Sequence, residues 1–436
     1  MKSMPKEYRF IDYTERYDSI MQFDKNKNVF VHRWYPFVEG YSKEFIEDIL
    51  NELSFVPQCA LEPFCGSGTT PVELQNHGVL CYSFEVSPFM HLLAKTKLER
   101  LYDYEAFKKY VRLITNSLDN TRQNIRYLEK IPFGDTVIKN GGRKKWNFHD
   151  SAIDGLLDIR FAIKTEVKDE VYNRLFTVAL ASIIMLCSNL FRNGKCLSYK
   201  KDWESKILTR RDVHSLFLER VNTIFSEDVK RISNSNKGVS NSIYCYKGDV
   251  RSNIHVVPDG IVDLIITSPP YLNSRDYTDI YMMELKILEL VNSHEELRAL
   301  RKNTIRSHVQ VSYSDIHPID NDRLKKCLTD MRNTDMAGWN DDIINMICGY
   351  FEDMQIMFKH FADKVKRNGV IYLNVANSAY FGVEIPVDYI IADIAESHGF
   401  KVREIRKARD LKTSPQQSRT IGKLRESVIV IDKLDS

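Results

Sequence analysis

The sequence predicts an α/β protein built on a doubly wound, mostly parallel sheet that carries a large helical insertion. Three observations predict it. Short apolar strands alternate with amphipathic helices near both ends of the chain, the pattern of a parallel sheet covered by crossover helices. A glycine turn, EPFCGSGTT (Glu62–Thr70), joins an early strand to a helix. Between residues 101 and 242 the alternation lapses, glycine becomes sparse and long helical patterns dominate.

The elements follow in order. EFIEDILNEL (44–53) sets Phe45, Ile46, Ile49, Leu50 and Leu53 on one helical face. QCALEPF opens as a strand, and PVELQNHG continues the helix after the glycine turn, with Pro71 in its first turn and Gly78 as its stop. VLCYSFEVSP (79–88) reads as a second strand. The insertion holds EAFKKYVRLITNSL and VYNRLFTVALASIIMLCSNLF, with a polar loop at 134–146. Strands resume at SIYCYKGDV (242–250) and GIVDLIIT (260–267). A long helix stopped by Gly369, a strand at 370–377, a helix ending near Gly399 and two closing strands, KVREIRKA and SVIVIDKL, complete the chain. The expected division is 1–100, the first half of the sheet; 101–242, the helical insertion; and 243–436, the second half, with a smaller insertion at 292–340.

Composition narrows the function classes. A chain of 436 residues with 43% hydrophobic content suits one large domain with an insertion, or two domains. Its net charge of +3 excludes a basic field over the whole surface, so any nucleic-acid contact must come from local patches. The eight cysteines form no CxxC pair or Cys/His cluster, which argues against structural zinc, and no metal is expected. Their apolar settings suit a reduced, cytoplasmic protein. The N-terminal stretch MKSMPKEYRFIDYTERYD lacks an apolar leader. The longest apolar run, Leu175–Phe191, contains Ser182, Ser188 and Asn189, so it reads as a core helix and no membrane is expected.

Four strand ends carry the chemistry. Gly66 and Gly68 let the first turn bend sharply and approach a ligand. The turn has neither a third glycine nor a P-loop lysine, and the acid Glu62 would repel a pyrophosphate but suit an ammonium group. Glu85, at the tip of the second strand, can bind both hydroxyls of a ribose. A ribose and an ammonium without phosphates describe S-adenosylmethionine better than a nicotinamide dinucleotide. Asp249, in KGDV, can accept from an adenine amine. Each feature also has a plainer reading on its own, as a turn glycine or a solvated strand-end acid.

The fourth strand end is SPPY, Ser268, Pro269, Pro270 and Tyr271. Prolines fix φ and lack an N–H, so the carbonyls project from a stiff frame. With the Ser268 hydroxyl and the flat face of Tyr271 they form a clamp for a planar ring bearing an amine. A nucleobase amine is a poor nucleophile because its lone pair is delocalised. Acceptors on its hydrogens favour a pyramidal nitrogen that attacks a sulfonium methyl in line.

These segments resemble the amino-group DNA methyltransferases, especially the N4-cytosine branch. EPFCGSGTT is similar to their motif I, with Glu where Asp is usual; FEVSP to motif II, GDV to motif III, TSPPY to motif IV and RESVIVIDK to the closing strand. HRWYPFVEGYS (32–42) more loosely resembles motif X, part of the cofactor pocket in the family. The resemblance covers about 32–99 and 243–436. It implies a Rossmann-like, seven-stranded methyltransferase sheet. The implied S-adenosylmethionine site comprises Tyr35, Pro36, Glu62, Phe64, Gly66, Gly68, Thr69, Thr70, Glu85 and Asp249, and the catalytic segment is Ser268–Tyr271. Serine at the head of motif IV favours cytosine N4, with adenine N6 as the alternative. An RNA methyltransferase and a silent DNA-binding subunit are further alternatives. No Pro-Cys dipeptide is present to support C5 chemistry. The motif order X–I–II–insertion–III–IV departs from the commonest SPPY arrangement, and the last strand ends near residue 433, so target recognition is expected within the insertions.

The implied substrate is double-stranded DNA with the target base flipped out. The implied setting is a restriction–modification or defence system, where a separately acting endonuclease can accompany the enzyme, nucleoid-associated while on DNA. Basic stretches are the expected backbone contacts. Residues 401–425 carry nine Lys/Arg against two acids, and 298–308 carry four and none. Arg192, Arg306, Lys412, Arg419 and Lys423 are the expected DNA-binding residues, with GRKKW as a further basic stretch.

Overall fold

The computed structural model describes residues 6–120, 136–139, 142–194, 196–235, 238, 240–334, 340–413 and 421–434. Eight strands form one sheet: β1 (Phe10–Asp12), β2 (Cys59–Glu62), β3 (Leu80–Glu85), β4 (Cys245–Lys247), β5 (Val262–Thr267), β6 (Val365–Ala376), β7 (Phe400–Lys412) and β8 (Lys423–Lys433). Across the sheet they run β1-β7-β8-β6-β5-β2-β3-β4. β8 is antiparallel to both neighbours, and the other pairings are parallel. After the edge strand β1 the chain enters the centre of the sheet at β2, winds out through β3 and β4, then returns to wind the other way from β5. The reversal lies between β2 and β5, which pair directly through Ala60–Leu264 and Leu61–Ile265. Open α/β sheets bind ligands at such a switch point, at the carboxyl ends of the strands.

The sequence predicts seven strands, and the eighth is β1. Its three residues show no apolar alternation. They are held by pairing with Ile405–Lys407 from the far end of the chain, a contact that local pattern does not encode. Three boundaries also shift. The strand expected over 242–250 shrinks to β4, because Asn241–Tyr244 coils into a 3₁₀ turn. The helix expected to stop at Gly369 ends at Lys364, and β6 begins at once. There a Cβ on Gly369 would lie 3.1 Å from the Val262 carbonyl oxygen, so this glycine permits close approach of β5 and β6. The basic 401–425 stretch, expected as strand only over KVREIRKA, is largely the β7–β8 ladder.

Alternate residues of β5 serve two cores. Leu264 and Ile266 pack with Phe45 and Ile49 of α1 (Lys43–Glu52) and Leu74 of α2 (Thr69–Asn76). Ile265 faces Met354 and Phe358 of a long helix (Asp341–Lys364) and Ile390 of the helix Val387–Ser397. Between residues 101 and 242 the described residues carry helices at Tyr104–Asp119, Asp150–Glu166, Glu170–Cys187, Arg210–Arg220 and Ser226–Ser233, plus a small ribbon, Leu190–Asn193 against Cys196–Tyr199. Glu170–Cys187 is long and apolar enough to cross a membrane by length and composition. Leu175, Val178 and Ile183 nonetheless pack inside the insertion's own core.

Candidate active site

A cavity of about 580 Å³ opens at the carboxyl edge of the sheet, where the turns after β2, β3, β4 and β5 converge. This volume lies in the range of pre-formed small-ligand pockets. Of the sequence-predicted residues, Phe64, Gly66, Thr69, Thr70, Glu85, Asp249, Ser268, Pro269, Pro270, Tyr271 and Lys412 line it.

One end is built on the glycine turn. Gly66 has φ +49°, and a Cβ there would sit 3.1 Å from the Phe37 ring. Its N–H donates to Glu85 Oε2 at 2.8 Å, and Ser87 N–H donates to Oε1 at 2.8 Å. Two backbone donors therefore aim the Glu85 carboxylate along the cavity wall, and its remaining lone pairs are available to a ligand's hydroxyls. Desolvation outweighs those bonds and pushes its carboxyl up to about 7. Asp249 caps the turn after β4 by accepting from Arg251 N–H at 2.9 Å, and it also holds the Arg251 guanidinium at 2.8 Å.

Two motif I residues act from behind the wall. Gly68, at φ +84°, does not line the cavity. A Cβ there would meet Ala94 Cβ at 3.0 Å, so the glycine lets the turn seat against the helix Pro88–Leu98. Glu62 is 1% exposed and faces inward. It accepts from Phe64 N–H at 3.0 Å, from the Tyr41 hydroxyl at 3.2 Å and from the Thr267 hydroxyl. Its burial lifts the carboxyl to about 7. The Glu62–Thr267 bond ties the end of β2 to the end of β5, so Glu62 joins the two motif-bearing strands and presents no oxygen to the cavity.

The motif X segment reaches the cavity with different residues from those expected. Tyr35 is 1% exposed, and its hydroxyl donates to Glu284 at 2.7 Å. Pro36 is exposed and does not line the cavity. Phe37, Gly40 and Tyr41 line it instead. Phe37 stacks on Tyr281 at 6.1 Å, and a Cβ on Gly40 would collide with its ring at 2.8 Å. Aromatic residues are frequent through this stretch, so spacing does not tell which of Trp34, Tyr35 and Phe37 faces a ligand.

The other end is the SPPY turn. β5 and β6 pair up to Thr267–Leu373, which sets Ser268 beside Asn374 at the sheet edge. The Tyr271 hydroxyl donates to Glu426 on β8 and accepts from Asn374 Nδ2 at 2.7 Å. Asn374 Nδ2 also donates to Glu426 Oε1 at 2.9 Å. Tyr271 N–H donates to the Tyr277 hydroxyl at 3.0 Å, and the Leu272 carbonyl accepts from Tyr380 at 3.2 Å and from Ser378. Both ends of Tyr271 are thus pinned. Its hydroxyl is kept protonated by burial and by Glu426, so the ring, not the oxygen, is what it can offer a ligand. Asn374, Glu426, Tyr277 and Phe37 are site residues that sequence reasoning missed. The first two left a signal: a polar side chain inside the apolar run VIYLNVA, and an acid at the head of SVIVI.

The expected DNA-binding cations divide sharply. Arg192 is consumed inside the protein: it pairs with buried Glu284 at 2.6 Å, reaches the Tyr35 hydroxyl and donates to the Ile280 carbonyl at 3.1 Å. Arg306 is likewise held, to Asp353 at 2.6 Å and Glu352 at 2.9 Å. Both act as struts that tie the insertions to the catalytic body. A side chain saturated by carboxylates is not free for a phosphate. Lys423 is exposed and pairs with Asp410 at 3.0 Å. Lys412 is exposed and lines the cavity. Arg419 lies outside the described residues. Among the described residues, no three His, Cys, Asp or Glu side chains are gathered as a metal site.

No protein-family model matches the chain, and no solved structure matches it significantly. Curated proteins do. The chain is 25% identical over 429 residues to the Type II methyltransferase M.AvaI of Nostoc sp., covering 92% of this chain and 86% of that protein. It is 25% identical to the Type II methyltransferase M.BsoBI of Geobacillus stearothermophilus, covering 99% and 92%. It is 22% identical to the Type II methyltransferase M.MvaI of Kocuria varians, covering 86% and 82%. Over most of its length the chain is thus similar to Type II methyltransferases, and the order of its motifs and the winding of its sheet agree with an amino-methyltransferase fold.

Proposed function

We propose that this protein is a site-specific DNA methyltransferase that transfers a methyl group from S-adenosylmethionine to cytosine N4 in double-stranded DNA. The observation that carries the proposal is the continuity of one cavity from Gly66, Glu85 and Asp249 at one end to Ser268 and Tyr271 at the other. A nucleoside-sized donor and a planar acceptor meet in a single chamber.

The residues present fit the cofactor. Glu85 presents a carboxylate braced by two backbone donors and suited to ribose hydroxyls. Asp249 stands at the next strand end, within reach of a base amine. Gly66 keeps the near wall free of a side chain. S-adenosylmethionine, when bound, supplies an electrophilic methyl on a sulfonium.

The chain's own part is to hold and activate the acceptor. A cytosine in duplex DNA hides N4 in its base pair and must be extruded, at a cost of a few kcal/mol. The Tyr271 ring, pinned at its hydroxyl by Glu426 and Asn374, gives a platform for stacking. Ser268 and the carbonyls of the proline pair accept the amine hydrogens and localise the nitrogen lone pair. No enzyme nucleophile is needed, and the amine's proton leaves after transfer. The work is positioning and electrostatic preorganisation.

Serine at the head of SPPY supports cytosine N4, and adenine N6 uses the same cavity. The relatives' names, Type II methyltransferase, support a restriction–modification setting with a separately acting endonuclease and a cytoplasmic, nucleoid-bound site of action. The helical insertion, and after it residues 292–340, are the proposed target-reading regions. The test is nucleoside analysis of DNA treated with labelled S-adenosylmethionine. N4-methylcytosine is expected; N6-methyladenine as sole product would overturn the base assignment, and labelled RNA with unlabelled DNA would overturn the substrate.

A further inference from the structure

The β7–β8 hairpin carries many cations, and most are paired with carboxylates within the protein. Arg403 pairs with Asp432, Arg406 with Glu52 and Glu404, Lys407 and Lys423 with Asp410, and Arg425 with Asp388. Two stand apart. Lys412 is exposed, lines the cavity and has no partner among the described residues. Arg409 also lines the cavity but meets Glu426 through Nε, leaving its two terminal nitrogens unpartnered among the described residues.

Their location makes the exception informative. Glu426, which holds Arg409, is the same carboxylate that accepts from Tyr271 and Asn374. A chain of direct bonds therefore runs from the cavity rim to the SPPY platform: Arg409 to Glu426 to Tyr271. Without Arg409, the buried Glu426 would present an uncompensated negative charge to any anion entering beside Tyr271. Unspent guanidinium nitrogens next to a free ammonium are a ready receptor for phosphate oxygens.

We propose that Arg409 and Lys412 form a phosphate clamp for the extruded nucleotide, seizing its backbone at the rim while Tyr271 receives its base. This rests on the reading of the protein as a DNA methyltransferase. Because Arg409 also supports Glu426, it is both a binding and a positioning residue, whereas Lys412 acts on the backbone alone. A second anion could in principle use the same groups, the carboxylate of the cofactor, and the two sources make opposite predictions.

The test begins by sequencing methylated bases in DNA from cells expressing the chain, which returns the target site. Duplexes bearing that site are then titrated by fluorescence anisotropy, and cofactor binding is measured by calorimetry. Lys412→Gln is expected to weaken duplex binding about fivefold to tenfold and to lower the salt slope by about one, with cofactor affinity unchanged. A neutral methylphosphonate at one of the two phosphates flanking the target base should cost the wild type a similar factor and cost Lys412→Gln less than about twofold further. Arg409→Lys should weaken duplex binding and also lower kcat, because a lysine cannot bond Glu426 and a phosphate together in the same fork. Wild-type binding insensitive to both methylphosphonates, or full additivity with Lys412→Gln, overturns the clamp. Loss of cofactor affinity with duplex affinity intact overturns it in favour of the cofactor carboxylate. A wild type that methylates no DNA overturns the functional reading itself, and the clamp with it.

Discussion

The two ends of the cavity are made by different means. The proposed cofactor end is local: Glu62 to Thr70 is one continuous turn, Glu85 ends β3 beside β2, and Asp249 follows β4 beside β3. The proposed base end is assembled across the sheet, with Tyr271 after β5, Asn374 on β6, Arg409 on β7 and Glu426 on β8. The first end depends on backbone conformation at a few residues. The second depends on register among four strands, two of them in an antiparallel ladder with bulges. Damage to each should therefore look different: lost affinity for the small ligand at one end, lost turnover with intact ligand binding at the other.

The sharpest break is at Gly66. Gly66→Val meets two obstacles, a φ of +49° that a β-branched residue resists and the Phe37 ring 3.1 Å from its Cβ. It also displaces the N–H that braces Glu85. Calorimetry is expected to give at least a hundredfold loss of S-adenosylmethionine affinity, about 3 kcal/mol. Retained affinity would mean that the glycine turn is only a bend.

At the opposite end, Glu426→Ala removes the acceptor of Tyr271, Asn374 and Arg409 together. Cofactor affinity should stay within about twofold while kcat with DNA falls about tenfold to a hundredfold, through misplacement of the acceptor base. A variant that loses cofactor affinity as much as turnover would show that the two ends are one mechanical unit.

This contrast explains what could be read from the sequence. The glycine turn, Glu85 and SPPY announce themselves because a turn chemistry and a strand end lie next to each other in the chain. The doubly wound order follows from the same alternation. Asn374 and Glu426 were invisible as partners because only the β6–β8 register, with Val428 opposite Asn374, brings them to one spot. Arg192 and Arg306 misled for the complementary reason. A basic residue in sequence looks free until the fold supplies Glu284 or Asp353, more than 40 residues away. β1 escaped notice because its pairing partner is at the other terminus.

A pH titration sharpens the cofactor end. In the proposed site Glu85 must be ionised to accept from two ribose hydroxyls, yet burial raises its carboxyl to about 7. Binding then competes with a proton, so affinity is full above pH 8 and falls as pH drops through 7, by about tenfold at pH 6. The same shift makes the free protein bind more protons than its unfolded chain between about 4.5 and 7, so this group's contribution to stability declines as pH rises through that window. Glu62, also raised to about 7, contributes to stability in the same direction but faces no ligand. Glu85→Gln should give weak binding with a flat profile; a slope that survives in Glu85→Gln and vanishes in Glu62→Gln would assign the proton to the strand tie instead.

The smallest effect is expected at Asp249, where the two ends should differ least. Its carboxylate is already satisfied by the Arg251 backbone and guanidinium, so a ligand amine would gain only one further acceptor on an occupied group. Asn retains the capping oxygen and one acceptor. Asp249→Asn is therefore expected to cost no more than about threefold in cofactor affinity and to leave kcat unchanged. The Arg251 guanidinium, released on one side, keeps its pair with Asp353 at 2.5 Å and its bonds to the Asn303 and Thr304 carbonyls, so the wall it supports should stay in place. A loss of thirtyfold or more would mean that Asp249 carries the adenine contact through its charge, and that the cofactor end relies on β4 as heavily as on the glycine turn.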